Sequence, residues 1–194
     1  MKAIVEASEF KRLVTNTKKF ISRYESNKLM GYIYLEINAD TKEIKATALD
    51  GHRVSVEYAM CAVAEESFSC YIKPAIPKIT KHNHYVELEL TDNKAYITVG
   101  DNIMGYKQPE GEYYKTDKMV SELEEKPPAA VIYADANLLK SALESVSGLA
   151  DYKPVVKIEI RDKKDPIVIK KIRFSETTKD IKLVLPVNVT EKEG

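Results

Sequence analysis

A pattern that occurs three times constrains this chain more than any other feature. An apolar, strand-like run passes through a small or prolyl residue into a helical period at "KAIVEASEFKRLV" (2–14), "SCYIKPAIPKIT" (69–80) and "AVIYADANLLKSAL" (130–143). The spacing, roughly sixty to seventy residues, is the scale of an internal repeat. Alternating segments follow each start: "MGYIYLEIN", "KEIKATAL" and "HRVSVEYAM" after the first, "YVELEL", "KAYITVG" and "IMGYKQ" after the second, "VVKIEI", "PIVIKKIRF" and "KLVLPVNV" after the third. Alternation of this kind marks strands with one buried face, and turn signals such as "NADTK", "TDNK" and "RDKKDP" fall between them. Asp50-Gly51 reads as a two-residue hairpin turn, with His52 and Arg53 beginning the returning strand. The expected fold is α+β, made of repeated strand-helix-three-strand half-modules with antiparallel sheets and helices on one face. The charged stretch ending at Pro127-Pro128 reads as a linker. This places a complete domain at 1–119 (half-modules about 1–64 and 65–115), a linker at 120–129 and a half-domain at 130–194.

Composition narrows the function classes. Lys plus Arg and Asp plus Glu both number 30 in 194 residues, so anion binding must come from uneven placement rather than overall charge. The first predicted helix has such unevenness. Phe10, Leu13, Val14, Thr17, Phe20 and Ile21 share one face, while Lys11, Arg12, Lys18, Lys19 and Arg23 occupy the opposite arc. The stripe is either a solvated helix surface or a sequence-independent contact for phosphate backbone. A second, short helix over "PAIPKITKH" brings Lys78 and Lys81. A third, with Leu138, Leu139, Ala142 and Val146 as its buried set, carries Lys140 and Glu144 and is nearly neutral.

Chemistry is sparse. There is no Gly-rich phosphate loop and no nucleophile elbow, and the histidines are His52, His82 and His84. His82 and His84 form a pair with no third ligand spaced to join them, and neither cysteine is in a ligand-spaced motif, so no metal site is expected. Asp50, His52 and Arg53 splay around a tight turn with no nucleophile placed by the sequence. We therefore expect no catalysis and no cofactor. Cys61 and Cys70 read as reduced thiols. The start "MKAIVEASEF" lacks a signal core and no apolar run is long enough for a bilayer, so a cytoplasmic protein with no membrane partner is expected.

The segment "ATALDGHRVSVEYA" (46–59) resembles the "ATDGHRLAV" segment in the middle domain of bacterial DNA sliding clamps, the β subunit of DNA polymerase III. The helix "EFKRLVTNTKKFIS", the segment "LMGYIYLEI" and "VGDNIMGYKQPEGEYYK" are similar to the same domain, from residue 1 to about 119. Over 129–194, "YADANLLKSALESV", "DKKDPIVIK" and "KLVLPVNV" resemble the last helix, penultimate hairpin and C-terminal strand of the clamp's third domain. The match is to a shortened clamp: three half-modules stand here where the family carries six. Tyr114-Lys115-Thr116 replaces the family's Pro-Asp-Tyr, and Asn188 its penultimate arginine.

The resemblance implies a non-catalytic replication processivity factor. It implies an apolar groove that captures linear motifs of DNA polymerase and other partners. The matching positions are Leu29, Leu49, Gly51, His52, Arg53, Val54, Tyr114, Lys118 and Met119, with Pro166, Leu183, Val184, Leu185, Pro186 and Val187 from the last block. Lys11, Arg12, Lys18, Lys19, Arg23, Lys78 and Lys81 would meet the backbone of double-stranded DNA without base specificity. An odd half-module leaves a sheet edge to cover, so a homo-oligomer is expected, with a two-fold pairing of third blocks as its form. The rival reading is a groove-only adaptor or decoy that competes for clamp clients and never encircles DNA. A nuclease or hydrolase, with no paired carboxylates to support it, stands behind both.

Overall fold

The computed structural model describes residues 1–22, 28–147, 155–171 and 181–187. Its fold is antiparallel and sheet-dominated, and the chain divides into two compact units, Met1–Val120 and Ser121–Gly194.

In the first unit, β1 (Lys2–Glu6) leads into α1 (Ala7–Thr17) and a 3₁₀ turn (Lys18–Phe20). A second 3₁₀ turn (Leu29–Gly31) precedes β2 (Ile33–Asn38), β3 (Glu43–Leu49), β4 (Val54–Ala64) and β5 (Phe68–Ile72). Then come β6 (Tyr85–Thr91), β7 (Lys94–Val99) and β8 (Asn102–Lys107). These strands form one antiparallel sheet in the order β5-β2-β3-β4-β1-β6-β7-β8. The side-chain alternation sets its two faces. Ile33, Leu35 and Ile37 of β2 and Ile44 and Ala46 of β3 point toward α1, where Phe10, Leu13 and Val14 complete a core shared with Ile72, Leu88 and Ile97. Tyr34, Glu36, Lys45 and Leu49 alternate onto the face away from the helix.

The β6–β7 hairpin is tight. Asp92 and Asn93 take φ of 48° and 63° between the pair Thr91 and Lys94, the left-handed geometry of a two-residue turn that matches strand twist.

No helix forms over residues 73–84. Pro74 and Pro77 lack the N–H a helix needs and hold the residues before them extended. The segment instead crosses the sheet irregularly, with Ile76 and Ile79 packed against the core. Asn83 Oδ1 accepts the Thr80 N–H at 2.9 Å, and the His84 carbonyl accepts the Ala7 N–H at 2.9 Å, pinning the start of α1.

α1 itself is shorter than its apolar period suggests, so Lys18 and Lys19 sit on the 3₁₀ turn rather than on the α-helix.

The Gln108 side chain links the sheet's two edges. Gln108, just after β8, accepts the Tyr71 N–H of β5 through Oε1 at 2.7 Å, and its Nε2 donates to the carbonyls of Tyr71 and Tyr106, each at 3.0 Å.

The segment expected to be a linker begins as a helix, α2 (Thr116–Glu124). In the second unit, α3 (Ala136–Ser147) is capped by Asp135, whose Oδ1 accepts the N–H groups of Asn137 and Leu138 at 2.8 and 3.0 Å. It packs on an antiparallel sheet of β9 (Val156–Glu159), β10 (Ile167–Lys171) and β11 (Ile181–Val184), ordered β11-β10-β9.

Two expectations fail here. The run 130–134 is not a strand, and its Tyr133 carbonyl accepts the Val187 N–H at 2.8 Å. Leu138 is 58% exposed; of the expected set Leu139 and Ala142 do pack against the sheet, half-buried and joined by Leu143, and the Val146 side chain lies outside the described residues.

Candidate functional site

The turn between β3 and β4 spans residues 50–53, closed by the pair Leu49 and Val54, and is longer than the two-residue hairpin expected. Its geometry belongs to Asp50. One carboxylate oxygen accepts the N–H groups of His52 and Arg53, both at 3.0 Å, in place of a backbone carbonyl. Only Gly51 takes positive φ (87°) within the turn.

The second oxygen of Asp50 accepts Arg53 Nε and an Arg53 terminal nitrogen at 3.1 and 2.6 Å, a fork on a carboxylate. That pairing and the two backbone donors hold the Asp50 carboxyl below its ordinary range. Arg53 also donates to the Lys19 carbonyl at 3.1 Å and lies over the Phe20 ring, 4.9 Å from its centroid. His52 is exposed.

Leu49 and Val54, the residues flanking this turn, join an apolar cluster on the sheet face away from α1. It contains Met30, Tyr71 and Tyr113, with Leu29, Tyr32 and Tyr34 against it. The structure thus brings Leu29, Leu49 and Val54 together beside Gly51, His52 and Arg53. It adds tyrosines that the sequence reading missed. Tyr34 stacks on Tyr113 at 4.9 Å and tilts against Tyr71 at 5.0 Å, Tyr114 meets Tyr113 edge-on at 5.7 Å, and Lys73 Nζ sits 4.8 Å from the Tyr32 centroid. The signal was available: in "GYIYLEI" the tyrosines share one alternation face, opposite the aliphatics.

Tyr114, Lys118 and Met119 are exposed near the start of α2, which Lys45 anchors by reaching Asp117 and Glu36 at 2.6 Å each.

In the second unit the predicted set falls on both faces of the sheet. Val184 is 4% exposed, buried with Ile167, Ile169 and Leu139, so it is a core residue rather than an open lining position. Leu183 and Leu185 are 62% and 68% exposed and Val187 is exposed beyond them, while Pro166 and Pro186 are half-buried. Period-two alternation makes this split unavoidable: adjacent strand residues cannot line the same surface.

The basic positions also divide. Lys11, Lys18, Lys19, Lys78 and Lys81 are exposed. Lys11 and Lys81 line one cleft of about 720 Å³ between the start of α1, β4 and residues 79–85, with the carboxylate Glu6 and with Ser8, Met60 and Tyr85. Arg12 is consumed internally. It bonds Glu9 at 2.8 Å, Glu57 at 2.6 Å and the Tyr58 carbonyl at 2.6 Å, and these carboxylates raise its already high pKa. Its role is to fasten α1 to β4. Arg23 lies outside the described residues.

An antiparallel sheet carrying its helix on one face, followed by a smaller helix-on-sheet unit, is the fold of the DNA sliding clamps, and this chain has that fold. Over 96% of its length it matches the DNA polymerase sliding clamp of Bacillus subtilis, with a TM-score of 0.78 at 16% identity, covering 49% of that chain. The DNA polymerase III β chain of Streptococcus pneumoniae matches over 98%, at 0.74 and 22% identity, and the β subunit from Streptococcus pyogenes over 97%, at 0.76 and 19% identity, each across 50% of its own chain. The chain therefore spans about half the length of the solved clamps it matches. No protein-family model matches the sequence, and no curated protein matches it. Among the described residues no helix is long and apolar enough to cross a membrane.

Proposed function

We propose that this protein is a non-catalytic, clamp-like processivity factor in DNA replication. It associates with duplex DNA through its helix-bearing face and captures linear motifs of DNA polymerase and other partners on the apolar surface around residues 50–53. The observation that carries the DNA half is the meeting of Lys11 and Lys81 on one cleft, although about seventy residues of chain separate them. With Lys18, Lys19 and Lys78 they form a set of point charges without base-reading groups, suited to a backbone held at any sequence. The clamp fold supports the reading and does not by itself assign the function. The motif-binding half rests on the half-buried Leu29 and Val54 beside the donors of His52 and Arg53, with the buried Leu49 packing beneath them as a core residue, and with Leu183, Leu185 and Val187 offering a second apolar row.

Duplex binding measured against salt tests this. Five phosphate contacts correspond to a slope of about −4 to −5 in log affinity against log salt. Replacing Lys11, Lys18, Lys19, Lys78 and Lys81 with Gln should abolish most of that slope, and an unchanged slope refutes the assignment.

A homo-oligomer belongs to the same proposal, since β9 and β11 are the edges of the second unit's described sheet. The rival adaptor, which holds motifs without encircling DNA, is favoured by Arg12, whose capture by carboxylates thins the basic face, and by α3, where Lys140 pairs with Glu144 at 3.8 Å. Light scattering over a concentration series separates the two, because topological linkage needs a closed assembly and motif capture does not.

A further inference from the structure

We propose that Arg53 is a positioning residue for the basic turn Lys18–Phe20, so that one guanidinium serves both the apolar rim and the phosphate-facing side of the sheet. The inference rests on the reading above, in which Lys18 and Lys19 face DNA and the turn at 50–53 borders the motif surface.

Residues 50–53 lie at the end of the β3–β4 hairpin, where the two faces of the sheet meet. Val54 turns into the tyrosine cluster on one face. Arg53, its neighbour, reaches the other, where α1 ends. A helix leaves its last carbonyls without intrahelical partners, and the Lys19 carbonyl, just past α1, receives the Arg53 guanidinium at 3.1 Å. The same planar group covers the Phe20 ring at 4.9 Å. Its near edge is fixed by the Asp50 carboxylate through two bonds, and the Asp50 carboxylate is itself fixed by two backbone donors.

Anchor, fork and stacking surface together require arginine. A lysine ammonium supplies the charge but cannot hold Asp50, the Lys19 carbonyl and the Phe20 face at once. Lys18 and Lys19 are thereby presented outward from a turn whose position is set by a residue of the motif rim. A rim ligand that draws the guanidinium toward itself releases that turn.

Two measurements on the full chain test the proposal separately from the function it rests on. The first is backbone hydrogen exchange in the free protein, at the Lys18 amide, which bonds within the end of α1, and at the Ser22 amide, which bonds the Met30 carbonyl at 2.8 Å. Arg53→Ala should speed exchange at both by about tenfold, the equivalent of one lost hydrogen bond to a charged group, with β7 unaffected. Arg53→Lys should fail to restore protection. The second is duplex affinity at fixed low salt, where both variants should weaken binding, Arg53→Lys included.

Unchanged exchange in Arg53→Ala overturns the proposal. So does an Arg53→Lys variant that binds DNA like the parent, since Arg53 would then act by charge alone. If the parent itself binds no duplex, the DNA reading falls, and exchange in the free protein still decides whether Arg53 sets the turn.

Discussion

Gln108→Leu removes a side chain that links the two edges of the large sheet while nearly preserving its volume. Its loss deletes three hydrogen bonds: one accepted from the Tyr71 N–H at 2.7 Å and two donated to the carbonyls of Tyr71 and Tyr106 at 3.0 Å. Tyr71 is 8% exposed, so its backbone groups gain little water in exchange. At a net value of roughly 1 kcal/mol per bond, the variant should be destabilised locally by about 2–4 kcal/mol. Each 1.4 kcal/mol is tenfold in an opening equilibrium, so the Tyr71 amide should exchange about 30- to 700-fold faster. Gln108→Glu keeps the acceptor for Tyr71 N–H but turns a carboxylate toward two carbonyls, and should protect no better than leucine. A Tyr71 amide in Gln108→Leu that exchanges within twofold of the parent, in a folded chain, would show that the link contributes nothing to closing the sheet.

Glu159 accepts bonds from Lys157, Lys170 and Arg161 at 2.9, 2.9 and 2.6 Å, which hold its carboxyl down at about 2. A depressed carboxyl stabilises the folded form above its ordinary pKa and loses that contribution as pH falls through the folded value. Protection of β10 amides should therefore decline between about pH 4.5 and 2, and Glu159→Gln should flatten that decline. Burial pushes the Cys61 thiol up to about 11 and Cys70 to about 12. Iodoacetamide at pH 8 should therefore leave both unmodified in the native chain and alkylate both in urea; native modification would reveal opening of β4 or β5.

Local pattern carried the strands well. In β2 the sequence alternates, and Ile33, Leu35 and Ile37 are indeed the buried members. What it could not carry were contacts between distant parts of the chain and competition within a turn. Arg12 is an ordinary member of a basic arc until Glu57, forty-five residues away, is folded against it. Nothing around Gln108 signals a bond to Tyr71 across thirty-seven residues. The Asp-Gly pair announced a turn, but the Asp50 side chain took backbone donors a shorter hairpin would have used, moving His52 and Arg53 out of the strand and into the bend. At 73–84 the apolar period continues through Pro74 and Pro77, but the backbone cannot follow it into a helix, because neither proline has an N–H to give. The candidate groove was legible as a list of positions. Its division between opposite faces at Val184 and Leu183 appeared only when the strand was built.

The tyrosine cluster also has an optical consequence. The chain has twelve tyrosines and no tryptophan, so tyrosine dominates its near-ultraviolet spectrum. Five of them, Tyr32, Tyr34, Tyr71, Tyr113 and Tyr114, stand in one group with neighbouring rings 4.9–6.0 Å apart. Transitions held this close and at fixed angles couple, and they give circular dichroism that scattered, freely turning phenols do not. Because Leu49 and Val54 pack into the same group, a peptide seated beside residues 50–53 would perturb that signal directly, and the unlabelled protein would report its own occupancy.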